Sequence, residues 1–161
     1  MDPIAHTLLI GLGATAVVDL WALMRRRWLG IALPDYGLLG RWLGHMPAGR
    51  LRHEAIARAH AIAGERPLGW AAHYLIGIAF AALLPLLWGR AWLAQPSMGP
   101  ALLIGVVTVA APFLLMQPGM GAGLAARHTP RPHAARLQSL ITHLVFGLGL
   151  YASALVLTLG D

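Results

Sequence analysis

The chain has 161 residues, of which 58% are hydrophobic and only 11% charged, with a mean hydropathy of +0.66. Soluble domains carry about 25% charged residues, so this is the composition of a membrane protein, here read as one domain over residues 1–161. Cysteine and lysine are both absent, which excludes disulfides, thiolate catalysis, Cys-ligated clusters and Schiff-base chemistry.

Four apolar segments are long enough to cross a bilayer, at about 4–24, 68–88, 101–117 and 137–159. The first is followed by Arg25, Arg26 and Arg27 rather than preceded by a basic segment, so it reads as an uncleaved span and not as a signal peptide. The loop 25–67 also holds Arg41, Arg50, Arg52, Arg58 and Arg66, and the loop 118–136 holds Arg127, Arg131 and Arg136. Eleven of the twelve basic residues, all Arg, therefore fall in two loops. That asymmetry places both loops in the cytoplasm and both termini in the periplasm of a bacterial inner membrane. It also accounts for the net charge of +6 without a nucleic-acid partner. Trp21, Trp28 and Trp70 flank the basic ends of the spans, and Trp88 and Trp92 the opposite ends. Alternating spans predict an all-α, up-down four-helix bundle whose partner is the lipid bilayer, with a homo-oligomer as a further expectation.

Within the first loop, Leu39, Leu43 and Met46 lie on one face of a short amphipathic helix over 36–46. An Ala-rich stretch over 50–64, with Glu54 and Arg58 four apart, predicts a second helix. Pro112 predicts a kink in the third span. The glycines of 118–123 predict tight, irregular backbone that approaches something closely.

Three spans carry a ridge at steps of four: Thr7, Gly11, Thr15, Asp19; Gly69, His73, Gly77, Ala81; and Ser139, His143, Gly147, Tyr151. Small residues at this spacing let helices approach closely in lipid. Asp19, His73 and His143 lie at matched depth, roughly 8–9 Å from the basic ends of their spans at 1.5 Å per residue. A polar group inside an apolar span needs an interior partner, so the three are expected to converge. Two imidazoles and a carboxylate are the ligand set of a two-His, one-carboxylate metal centre. The same histidines on facing helices also suit haem, with Gly69, Gly77 and Gly147 as cofactor-binding positions that leave room for the ring. The leading expectation is thus a metal ion or haem centre for redox chemistry. A proton-coupled small-molecule transporter using the His–Asp pair, and a non-catalytic accessory or assembly subunit using it as a polar clasp, are the alternatives. His45, His53, Glu54 and Gln117 are possible additional site residues. His6 reads as interfacial, and His128 and His133 as solvated residues or at most anion contacts. No nucleotide-binding loop, nucleophile elbow or HExxH motif is present.

Several stretches are distinctive: Gly40-Arg-Trp-Leu-Gly-His45; Arg52-His53-Glu54; Gly64-Glu-Arg66 with Gly69-Trp70 and His73-Tyr74; and Gln117-Pro-Gly-Met-Gly-Ala-Gly123 followed by Thr129-Pro130. On these the chain resembles an uncharacterised family of small bacterial inner-membrane proteins, a domain of unknown function. The resemblance implies a bacterial integral membrane protein with several helices. It brings no activity, cofactor or catalytic residue with it.

Overall fold

The computed structural model describes residues 2–160, and these are helical or irregular, with no strand among them. The first α-helices are α1 (Pro3–Leu29), α2 (Tyr36–His45), α3 (Glu65–Trp88), the four-residue α4 (Ala91–Ala94) and α5 (Met98–Thr108). A π-helical turn (Pro112–Met116), the four-residue α6 (Gln117–Met120) and α7 (Pro132–Gly160) follow. Four stretches are long and apolar enough to cross a membrane: Pro3–Leu29, Glu65–Trp88, Met98–Met120 and Pro132–Gly160. This is a multi-pass helical membrane fold. The helices overrun the apolar segments because polar turns at a span's end stay helical until a cap stops them. The Asp2 carboxylate accepts from the amides of Ile4 and Ala5, with Pro3 in the first turn, and left-handed Gly30 ends α1.

The described residues form two compact units. The bundle unit contains the residues up to Leu33, Tyr74–Thr108 and those from Ile141 onward. Its helices touch through small residues, as the four-step ridges predict. A Cβ on Gly11 would come within 2.6 Å of the Ile78 Cα, and Thr15 fills the space beside Gly77. Gly149 meets Ala14 and Val17, while Gly105 meets Gly147 and the His143 carbonyl. In each pair residue numbers rise on one helix as they fall on the other, which is the antiparallel packing of an up-down bundle. Ile10, Ala14, Leu84, Ala101, Leu150 and Ala154 are fully buried between the helices. Leu86, Val156 and Leu159 point outward at 76%, 67% and 81% exposure, as a lipid-facing surface requires. Trp92, expected at the interface, instead turns into the core, its indole N–H donating to the Ser97 carbonyl at 3.2 Å.

The loop unit contains Pro34–His73 and Val109–Leu140. The Asp35 side chain caps α2 by accepting from the Gly37 amide. Glycines again set the packing: Gly40 lies on the Glu65 carbonyl, Gly69 on the Tyr36 carbonyl and Gly44 on Ile62. The helix expected over 50–64 does not form; apart from a single 3-10 turn (Ile56–Arg58), the stretch is irregular. The cause is Arg41. Its guanidinium donates to the carbonyls of Ile56, Ala57 and Ala59 at 3.1–3.4 Å, and carbonyls turned toward it cannot serve a helix ladder. The same guanidinium forms a two-pronged ion pair with Glu65 at 2.7 and 2.8 Å. That hydrogen bond raises the Arg41 pKa further above its ordinary value, so Arg41 is always charged.

Candidate functional site

Asp19, Thr108 and His143 of the bundle unit find hydrogen-bond partners within that unit. Asp19, in the second half of α1, accepts a hydrogen bond from the Tyr74 hydroxyl of α3 at 2.9 Å. On α5, the Thr108 hydroxyl donates to the Ile104 carbonyl at 2.7 Å. A hydroxyl has one proton, so toward His143 the Thr108 oxygen accepts, and the His143 Nδ1 proton is shared between it (3.1 Å) and the Gly105 carbonyl (3.2 Å). His143 therefore carries its proton on Nδ1 and keeps a lone pair on Nε2. The ring of Phe80, from α3, lies 6.5 Å away at a tilt of 50°. His6, expected at the interface, is buried in this unit with Nε2 unbonded, a placement no pattern in the sequence signals.

His73 closes the first segment of the loop unit. Its ring stacks on Tyr36 at 4.0 Å with Trp70 edge-on at 6.0 Å. Of the three residues expected to converge, Asp19 and His143 thus belong to the bundle unit and His73 to the loop unit. Among the described residues no group of three His, Asp or Glu is arranged to hold a metal ion. The faces of Gly77 and Gly147 are covered by Thr15 and by the backbone of α5, and that of Gly69 by the Tyr36 carbonyl. At all three the small residue admits a neighbouring stretch of chain.

The additional residues lie in the loop unit, and there the distinctive motifs come together. The carbonyl of His60 can only accept, so His45 Nε2 donates to it at 2.9 Å. A neutral His45 then has its lone pair on Nδ1, and His53 Nε2 donates to that atom at 3.2 Å. The chain of two imidazoles leaves His53 Nδ1 as an enclosed atom without a hydrogen-bond partner. The His53 amide donates to the Gly119 carbonyl at 2.9 Å, and Gly119 sits on the Trp42 indole, whose N–H donates to Leu51. Gly121 lies against the Glu54 carbonyl. The close approach expected of the 118–123 glycines is therefore to the Arg52-His53-Glu54 segment and to α2. Gln117 donates weakly to Ser139 at 3.4 Å, and its carbonyl oxygen is buried without a partner.

No curated protein and no solved structure matches this chain. The model of the family described as "Protein of unknown function (DUF2938)" matches residues 8–157, nearly the whole chain, and the chain belongs to that family.

Proposed function

We propose that this is a proton-coupled transporter of a small molecule in the bacterial inner membrane, with both large loops cytoplasmic and both termini periplasmic. The observation that carries the reading is the Tyr74–Asp19 hydrogen bond between two membrane-spanning helices. A carboxylate at that depth raises the free energy of insertion by about 2.5–3.5 kcal/mol. A phenol offers it one strong donor when it is charged. When protonated, it needs none. Asp19 can therefore exist in two states of different charge, and a pH difference across the membrane favours one over the other. The third span supports the reading too. It is interrupted at Val109 and continues through the π-helical turn Pro112–Met116, the kind of broken helix found where a span must change shape. Four spans make a thin wall, so the working form is expected to be a homo-oligomer in the bilayer. The arginines serve membrane topology and not nucleic acid.

A metal or haem centre for redox chemistry is the other use of Asp19, His73 and His143. It would need Asp19 and His143 to leave their present hydrogen bonds, and no observation favours it over the transporter.

The test is proton flux. Purified protein is reconstituted in vesicles holding a pH-sensitive dye, and inorganic phosphate, O-phosphoethanolamine, acetate and an amino-acid mixture are added in turn under a pH gradient. At least one should drive proton entry, and Asp19→Asn, which keeps an acceptor for Tyr74, should abolish it. Absence of flux with every solute, or flux that survives Asp19→Asn, overturns the proposal. Stoichiometric metal or a Soret band in the purified protein would instead support the redox reading.

A further inference from the structure

The loop unit contains a cavity of about 420 Å³ that the transport reading does not use. Arg52, His53 and Glu54 form one side, and the segment from Gly121 through Arg127 and His128 forms the other. We infer that this cavity binds a phosphate ester that also carries a hydrogen-bond donor, with the phosphate on Arg52 and Arg127 and the donor on Glu54.

The argument begins with which charges are already satisfied. Arg41 donates to Glu65 and to three carbonyls, so all three nitrogens of its guanidinium are engaged by the fold. Arg52 has no side-chain partner among the described residues, and Arg127 uses only Nε, which donates to His128 Nε2 at 3.1 Å. Two arginines with unengaged N–H donors thus line one cavity. A guanidinium fork matches the oxygens of a phosphate, and two of them match its double charge. The Arg127 contact also fixes His128. Its Nε2 accepts, so its proton is on Nδ1, a further donor at this wall.

Glu54 sets the second half of the inference. Glu54 also lines the cavity, and its carboxylate has no side-chain partner among the described residues. A phosphate alone would meet it with repulsion. A ligand with an ammonium or hydroxyl group one short link from the phosphate would satisfy it instead. The volume lies within the range of small-molecule sites and exceeds what a bare phosphate needs.

The wall is built, not incidental. Ala125 (φ 45°, ψ 47°) and Ala126 (φ 59°) are left-handed, a conformation that costs about 1–2 kcal/mol in a residue with a Cβ. Arg136 holds the Ala125 carbonyl at 2.7 Å, and the Thr129 hydroxyl holds that of Ala126 at 2.8 Å. Two side-chain bonds thus hold the backbone between the lining residues Leu124 and Arg127. On the facing wall, the His60–His45–His53 chain of hydrogen bonds locks the imidazole of His53.

Calorimetric titration of the purified full-length protein in detergent tests this. O-phosphoethanolamine should bind saturably, inorganic phosphate about tenfold more weakly, and ethanolamine not at all. Arg52→Gln and Arg127→Gln should each weaken O-phosphoethanolamine by about tenfold or more. Both side chains are solvent-exposed, so the variants should fold, which circular dichroism verifies. Glu54→Gln should remove the preference over inorganic phosphate. No saturable binding, or binding indifferent to Arg52→Gln and Arg127→Gln, overturns the inference. Equal affinity of the wild type for phosphate and its ester overturns the role given to Glu54.

The natural ligand has two possible sources, a lipid headgroup or a soluble ester. In nanodiscs, added phosphatidylethanolamine should lower the apparent affinity for O-phosphoethanolamine if the headgroup is the occupant, and leave it unchanged if a soluble ester is. Asp19→Asn should bind as the wild type does, so failure of the transport reading is distinguishable from failure here.

Discussion

The two units handle polar groups in opposite ways. In the bundle unit they are isolated, and those that are bonded are answered within a turn or across one helix contact: Thr15 donates to the Gly11 carbonyl, Thr108 to that of Ile104, and Tyr74 to Asp19, while His6 Nε2 is buried without a partner. The surface around them is apolar, and small residues do the packing. In the loop unit, one guanidinium organises carbonyls and a carboxylate from three segments, and imidazoles are linked in series. Removing one polar group from the bundle should loosen one contact, whereas removing one from the loop unit should release a whole stretch of chain.

The largest effect that follows is for Arg41→Ala. It removes the ion-pair partner of Glu65 and the donor to three carbonyls together, so residues 50–64 should be cleaved about tenfold faster or more in limited proteolysis while helix content by circular dichroism barely changes. If the loop stays protected, the contrast between the units fails. Gly105→Leu should come next. The new side chain would meet the His143 carbonyl and Gly147 backbone, neither of which can move aside, and about 1–3 kcal/mol of bundle stability should be lost in detergent unfolding. Thr108→Val is the smallest. It removes the hydroxyl next to His143 without changing shape, and should lower stability by about 0.6 kcal/mol, the average for polar contacts inside membranes. A loss much larger than that would mean that the bundle, too, depends on a linked network.

What the sequence makes legible follows the same division. The spans and the close contacts along Gly11, Thr15, Gly77 and Gly147 depend on local composition and a four-residue period, and both can be read from one stretch at a time. The α2 helix has its cap, Asp35, beside it. The stretch 50–64 misleads because its local signals, alanine and a Glu54–Arg58 spacing, favour a helix, while Arg41 binds its carbonyls from another segment. The cavity is invisible for the same reason: Arg52 and Arg127 are separated by a full pair of spans. The convergence expected of Asp19, His73 and His143 depends on helix rotation, which depth along a span does not determine.

The bond from the His53 amide to Gly119, and the seating of Gly119 on Trp42, have a consequence for how the protein is made. Translation must add about 80 residues after Trp42 before Gly119 leaves the ribosome, a delay of several seconds at ordinary elongation rates. Throughout that interval the first loop lacks its counterpart and is open to proteases and chaperones. Stalling synthesis short of Gly119 should therefore leave a nascent chain whose first loop is cut readily, and release past that point should protect it.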